Sequence, residues 1–417
     1  MSLSMGYARL TREARLLIVI RAARSVGQGA LVVDFALYLH ALHWSAPAIG
    51  GLFMVALLAS ATLALFVGPL SDTRGRKAFL QAYEWVQVAA ALMALTNSHS
   101  AVLVIAAILG GFGHGLNGGA GPFAPVELAW LSEMVEARDR AAVYSLNTAM
   151  GFSGMALGAL LAALPSFLGT LLPGPLAYRP LFLLVLMGAA LALVLLRAIP
   201  EAARPMSPRD PDIDTRTAAD AMTRAENRKL LKLFGINALN GIGIGFMGPL
   251  MAYWFAIRFH HGPLSIGPIM SVALIVTAIS SLLVGRLTRR YGVVKSVLAM
   301  RYLGLAVLLI LPLSPSFPIA ALLYIIRSAL NRGTAGARQA LNLGLVRGHR
   351  RGLAASLNNA SIQMPRAIGP VFAGLLYHAG FLALPFFIAG SFQAVYLILY
   401  RRLFRDAPSA PLSSPSE

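Results

Sequence analysis

Gly68-Pro-Leu-Ser-Asp-Thr-Arg-Gly-Arg-Lys77 sits between two long apolar runs and crowds Asp72, Arg74, Arg76, Lys77 and two glycines into ten positions. Charge at that density, flanked by apolar chain, belongs at a membrane surface, where polar groups reach water while their neighbours enter lipid. The second half carries a partner: Gly285-Arg-Leu-Thr-Arg-Arg-Tyr-Gly-Val-Val-Lys295 repeats both glycines at the same spacing and closes on a lysine. The chain therefore reads as two copies of one membrane unit. The repeat goes further. Tyr144-Ser-Leu-Asn147-Thr-Ala aligns with Ala355-Ser-Leu-Asn358-Asn-Ala, each just after a basic loop, Arg138-Asp-Arg140 and His349-Arg-Arg351. Internal repeats of this kind mark transporters whose binding site lies near the midplane, between the copies.

Composition agrees. The 417 residues are 57% apolar and 12% charged, with a mean hydropathy of +0.70, far too oily for a soluble protein of this length. A spanning helix takes roughly 20 apolar residues. Twelve spans are expected, at 16–40, 47–70, 78–96, 101–131, 140–164 and 178–198, then at 230–257, 265–287, 293–313, 317–345, 352–377 and 381–402. The runs are rich in Leu and Ala and lack two-residue alternation, so the fold class is all-α rather than a barrel. This divides the chain into a six-helix bundle over 1–198, a cytoplasmic linker at 199–228, a second six-helix bundle over 229–405 and a disordered tail at 406–417. Cysteine is absent, which excludes disulfides and thiolate metal sites.

The net charge of +19 is a topology signal. Only Arg179 and Arg258 fall on one side of the membrane; apart from residues at membrane depth, the other lysines and arginines fall in the tails, the linker and the loops of the opposite side. The positive-inside rule then puts both termini in the cytoplasm. No nucleic-acid partner is implied.

The first loop copy resembles the signature of the major facilitator superfamily, G-x-x-x-D-x-x-G-R-[KR], which in that family joins the second and third membrane helices on the cytoplasmic side. The resemblance implies twelve transmembrane helices in two pseudo-symmetric bundles and a secondary transporter working by alternating access. A monomer in a bacterial cytoplasmic (inner) membrane is expected, with no cofactor and no metal. It further implies a cytoplasmic latch built from Gly68, Asp72, Gly75, Arg76, Lys77, Glu133 and Arg140, with Gly285 and Gly292 from the second copy. Asp72 would cap a helix in the opposite half, and Arg76 would pair with Glu133 at the end of the fourth span. Glu133 to Arg140 also fits the spacing E-x(6)-R found in parts of the superfamily. Because Arg289 stands where Asp72 does, the second copy lacks that acid. The fourth span lacks the R-x-x-Q-G arginine of drug/proton antiporters, and their G-P-x-x-G-G pattern is only partial at Gly151-Phe-Ser-Gly154-Met-Ala-Leu-Gly158. Both departures count against drug efflux.

Charge inside lipid is costly, roughly 2.5–3.5 kcal/mol per residue on insertion scales, and normally faces a cavity or a partner. At membrane depth the chain holds Asp34, Glu84 and Glu127, with Arg21, Arg24, Arg301, Arg327, Arg332, Arg338 and Arg366. In repeat register Glu84 matches Arg301 and Glu127 matches Arg338. Arg327, Asn331 and Arg338 share one helical face, with Arg332 turned well away, and Arg24 shares a face with Gln28. The resemblance places the first, fourth, seventh and tenth helices around the cavity. One reading assigns Arg24, Gln28, Arg327, Asn331, Arg338 and Arg366 to an anionic part of the substrate, since arginine keeps its proton. The other pairs these cations with the acids as structural or gating salt bridges. A carboxylate in a low-dielectric cavity can load and unload protons, which makes Asp34, Glu127 and Glu84 candidate proton carriers, Asp34 above all, with Tyr38 one turn on. His114 is a further titratable group.

Glycine and proline concentrate at 109–125 and at Gly241-Ile-Gly-Ile-Gly-Phe-Met-Gly-Pro249, as helices that bend around a cavity require. The formal G-x-G-x-x-G at Gly113-His-Gly-Leu-Asn-Gly118 has no preceding strand and lies in an apolar run, so no nucleotide is expected there. H-E-x-x-H, G-x-S-x-G and a Walker lysine are absent, which argues against an enzyme. The leading expectation is proton-coupled transport of a small, anionic solute; the alternative is proton-driven efflux of amphiphilic drugs or lipids.

Overall fold

The computed structural model describes residues 10–113, 121–136, 140–200, 216–335, 338 and 360–403. Every regular element among them is helical. The first half holds α1 (Arg12–Ala41), α2 (Ala46–Arg74), α3 (Arg76–Thr96), α4 (Ser100–Gly110), α5 (Ala124–Glu133), α6 (Arg140–Leu161), α7 (Leu164–Leu168) and α8 (Leu181–Arg197). The second holds α9 (Arg216–Met247), α10 (Met251–Phe259), α11 (Pro263–Tyr291), α12 (Val293–Ile310), α13 (Phe317–Arg332), α14 (Gly369–His378) and α15 (Leu384–Leu403). Nine of the described spans are long and apolar enough to cross a membrane. The linker residues 201–215, His114, the side chains of Asp72, Arg140 and Arg289, and the tail at 406–417 lie outside the described residues.

Four of the expected spans are not single helices; in span eleven, Ala367 and Ile368 turn between the helical residues up to Arg366 and α14. Span four stops at Gly110, with Gly111 left-handed at φ 65°, and resumes through a short 3-10 turn at Gly121–Phe123 into α5. Span seven breaks between α9 and α10 at Gly248-Pro249-Leu250, where proline removes a helix donor. Span ten, expected as one helix over 317–345, is interrupted after Arg332 by the turn residues Gly333 and Thr334; Ala335 and Arg338 are helical again.

The twin loops owe their shape to their glycines. Gly75 (φ 98°, ψ 134°) and Gly292 (φ 83°, ψ 151°) separate α2 from α3 and α11 from α12 in the same backbone conformation, one that side chains exclude. Lys77 Nζ donates to the carbonyls of Ile199 (2.6 Å) and Arg197 (3.4 Å), a cation closing the end of α8.

Packing fixes the register of the repeat. Gly27 presses on the backbone of α8 at Val185 and Gly29 on that of α6 at Met155; Gly243 presses on α15 at Ala389 and Gly245 on Arg366, just before α14. Each glycine sits where a Cβ would meet backbone. Ser25-Val-Gly27-Gln-Gly29 therefore superposes on Gly241-Ile-Gly243-Ile-Gly245, and the residue ahead of each, Arg24 and Asn240, are counterparts.

The halves meet along α2 with α14 and α6 with α11. At the end remote from the termini they share one apolar core, running from Ala30–Leu39 and Ile49–Phe53 to Phe246–Phe255 and Phe386. There Gly50 abuts the carbonyl of Pro370, Gly374 that of Ala46, and His40 meets Tyr253 edge-on at 5.3 Å. At the termini end each half has its own core, one around Leu80, Trp130 and Leu196 and the other around Leu233, Tyr396 and Tyr400. Among the described residues the halves are thus joined through one core at one end and keep separate cores at the other.

Gly50→Leu should wedge the joined end apart, because the overpacked chain can relieve the clash only by parting the halves. The chain has no cysteine of its own, so Tyr253→Cys can be labelled singly with a membrane-impermeant maleimide. Labelling is expected to rise several-fold with Gly50→Leu; an unchanged rate would show that this contact does not hold the end shut.

Candidate functional site

In the first half the membrane-depth charges form one closed node. Arg24 on α1 donates through Nη1 to Glu84 Oε1 of α3 (2.8 Å) and through Nη2 to Glu127 Oε2 of α5 (2.7 Å). Arg21, one turn earlier, reaches Glu127 Oε1 at 3.4 Å, and Asn147 of α6 donates to the same oxygen at 3.3 Å. Tyr83 lies beneath Arg24, its ring centre 5.5 Å from the guanidinium carbon. Two cations meet two anions in a node that is almost wholly buried, with Glu84 at 0% exposure. Such a node orders four spans, because each charge depends on the others for its place in a dry interior.

Asp34 stands apart. It is 0% exposed, in the remote half of α1, and among the described residues neither carboxylate oxygen has a hydrogen-bond partner. Tyr178 lies within its electrostatic reach. Tyr38, one turn on, shares a hydrogen bond with Ser98 (3.2 Å), to which Arg179 also donates (2.6 Å).

The second half is composed differently. No Asp or Glu occurs between Glu226 and Asp406. Arg301 of α12 donates to Asn240 Oδ1 of α9 (2.6 Å) and lies 4.8 Å over the Tyr396 ring. Arg366 donates to Gln363 (3.2 Å), and its Nη2 points at Gly248 in the break of span seven. Arg327, Arg332 and Arg338 are half-buried, and none makes an ion pair among the described residues. Arg332 lies within electrostatic reach of both Arg327 and Arg366. Tyr324, one turn before Arg327, packs edge-on against Phe255 of α10, so this stripe of α13 faces span seven.

The residues singled out from sequence are therefore sorted into three places. Arg24, Glu84 and Glu127 are joined in the first-half node. Arg327 and Arg366 lie in the arginine cluster, while Gln28 is half-buried on α1. Asn331 accepts from Gln393 of α15 (3.2 Å) and packs on Gly304 of α12, inside the second bundle. Helical spacing turned Arg332 away from Arg327; α13 ends at Arg332, and the charge of this last residue joins the cluster. Sequence reasoning also passed over Asn240, Asn147, Gln363 and Gln393. At the latch, Arg76 Nη1 is 2.7 Å from Glu133 Oε1, in a partly exposed pair.

Two helical bundles, joined at one end, with separate cores at the other and lined with buried charge, define a secondary transporter of the membrane. The chain belongs to the Major Facilitator Superfamily, whose profile matches residues 17–231 and 233–417. It is 23% identical over 413 residues to an uncharacterised membrane protein of Saccharomyces cerevisiae, spanning 91% of each chain. Among solved structures it resembles a point variant of the nucleoside transporter NupG (TM-score 0.71, 12% identity, covering 94% of this chain and 100% of that one). A D-xylose–proton symporter matches at TM-score 0.70 and 14% identity, covering 96% and 99%. The human organic anion transporter MFSD10 matches at TM-score 0.65 and 17% identity, covering 94% and 100%.

Arg24→Leu would strand the buried carboxylate of Glu84 and leave Glu127 to Arg21 and Asn147, and is expected to cost about 3–5 kcal/mol, read as loss of monodisperse protein in detergent. Arg76→Gln removes a partly exposed pair, and its stability change should stay within about 1 kcal/mol. Comparable falls in melting temperature for the two variants would refute the difference in burial on which this rests.

Proposed function

We propose that the protein carries a small anionic solute by alternating access, driven by protons. The observation that carries this reading is the imbalance of buried charge. In the first half, Arg21 and Arg24 are answered by Glu84 and Glu127. In the second, Arg327, Arg332 and Arg366 gather in a stretch of chain without an acidic residue. Guanidinium groups keep their charge and present forked donors matched to carboxylate or phosphate. An anion entering from the termini end would find its counter-charge there, and Arg327 with Arg366 would hold it against the break of span seven. Broken helices at mid-membrane are where transporters of this kind bind their cargo.

The fold does not choose the cargo. Its relatives in shape carry, by their descriptions, nucleosides, xylose or organic anions. Charge is what separates these classes here, and it weighs against a lipophilic cation, which buried arginines repel. For the coupling ion, Asp34 is the group best placed: enclosed, without a hydrogen-bond partner among the described residues, and close to the joined end. Glu84 and Glu127 are engaged by arginines, so their protonation would first have to break ion pairs. We further place the termini in the cytoplasm, which makes the termini end inward-facing.

The test is uptake of radiolabelled organic anions into proteoliposomes, with and without an imposed pH gradient. Arg327→Gln deletes one charge-assisted contact, worth about 1.5–3 kcal/mol, and should weaken apparent affinity about tenfold or more. Asp34→Asn should abolish acceleration by the pH gradient while leaving counterflow exchange intact. Full gradient-driven uptake by both variants would overturn the proposal. Selective loss of anion uptake while a hydrophobic cation is still carried would support it over drug export.

A further inference from the structure

The two bundles carry the same structural node with opposite electrical content. In the first, Arg24 is tied to Glu84 at 2.8 Å over the Tyr83 ring. In the second, the counterpart positions are Asn240 and Arg301, tied at 2.6 Å, with Arg301 over the ring of Tyr396. Glu127, the second acid of the first node, corresponds in the repeat to Arg338. Arg338 lies within electrostatic reach of Arg301 and of Tyr400, whose ring is 5.3 Å from that of Tyr396. The first node is neutral. The second sets two guanidiniums against one another with a single asparagine between the helices.

A buried cation with a second cation within its electrostatic reach calls for a counter-ion. Arg301 is 3% exposed and Arg338 is half-buried. The Nε of Arg301, the Nε of Arg338 and the Nδ2 of Asn240 are buried donors without an acceptor among the described residues. All are donors, contributed from α9, α12 and the segment after α13. The tyrosine rings and Asn331, held by Gln393 against α12, wall the space on the side of α15.

We propose that this node binds a small inorganic anion, chloride in the cytoplasmic setting, which takes the place that the carboxylates of Glu84 and Glu127 occupy in the first bundle. The site lies beside the Arg327–Arg332–Arg366 cluster offered to the solute, with Arg327 within electrostatic reach of Arg301, but its donors are those of Arg301, Arg338 and Asn240. The anion is a fixed counter-ion that holds α9, α12 and α13 together, and it does not depend on which solute is carried. A monovalent ion suits the node, since the groups it offers, two guanidiniums and one amide, are all donors.

The test uses the full-length protein in detergent, melted at constant ionic strength while sodium gluconate is exchanged for sodium chloride. Chloride should raise the melting temperature saturably, by about 2–4 °C at concentrations well above its dissociation constant, and bromide should replace it. Arg338→Glu rebuilds the ion pair of the first bundle inside the second, so this variant should melt at least as high as wild type in gluconate and ignore chloride. Arg301→Gln, which leaves one cation, should shift the half-saturating chloride concentration at least tenfold upward, and serves where the glutamate variant does not fold. Arg327→Gln should keep the wild-type chloride response even where it has lost anion transport, so failure of this site and failure of the transport reading are told apart. No chloride shift in wild type, or an undiminished shift in both Arg338→Glu and Arg301→Gln, would overturn the proposal. Loss of the shift in Arg327→Gln would do the same, by placing the ion in the solute cluster.

Discussion

Hydrocarbon tolerates a charge only when something answers it, and the bridge of Arg24 between Glu84 and Glu127, one guanidinium nitrogen to each, meets that constraint for the first half of this protein. The three residues come from α1, α3 and α5, with Asn147 of α6 adding a fourth helix, so one guanidinium sets the mutual heights of four spans. Apolar packing alone would not fix those heights, since lipid chains compete with side chains for every apolar surface. The glycines complete the work. Gly27 and Gly29 bring α1 into backbone contact with α8 and α6, and only at that separation do the arginine and glutamate side chains overlap.

The same backbone arrangement recurs in the second half with different chemistry. Gly243 and Gly245 repeat the close approaches, and Asn240 and Arg301 occupy the places of Arg24 and Glu84. The two bundles thus share a geometry but not a charge content: Arg21 and Arg24 are paired with Glu84 and Glu127 in the first, and the second has no acidic residue between Glu226 and Asp406. That asymmetry is what the proposed anion specificity rests on. It also assigns different tasks to the two ends. The joined end is held by apolar surface and by backbone contacts such as Gly50 on Pro370, which separate without breaking any ion pair. At the other end Arg76 and Glu133 sit in a partly exposed pair, where water softens the cost of exchange.

The helix count, the family and the twin loops were legible because each is written locally: apolar runs of spanning length, two glycines at matched spacing, cations gathered at alternate loops. The Arg76 and Glu133 contact also follows from the loop signature. What was not legible depends on how the spans pack. The shared face of Arg327, Asn331 and Arg338 reads as the lining of one cavity, but which neighbour a helical face meets is set by packing between spans: Asn331 is taken by Gln393 inside the second bundle, and Arg332, the last residue of α13, lies within electrostatic reach of Arg327. Choosing which of three acids answers Arg24 needs the distances between α1, α3 and α5, which no spacing within one span contains. The opposed charges at matching repeat positions were visible, but their meaning was not: Arg301 finds Asn240 of its own bundle, and Glu84 finds Arg24 of its own.

Asp34 lies on α1 near the joined end, remote from the second-half arginines, with Tyr178 and Tyr38 as its neighbours. A proton there and an anion on Arg327 would share no contact, so any coupling between them must pass through the equilibrium between the two ways the halves rock. For that to work, each ligand has to bind one arrangement better than the other, and the product of those preferences is the coupling free energy. On the function proposed above, Asp34 would meet the requirement if its charge were tolerated only when the joined end opens to water, which would tie its proton to closure. The arginines would meet it in the opposite sense, an anion on them favouring closure of the other end. Solute and proton would then act on one motion from opposite ends of the cleft.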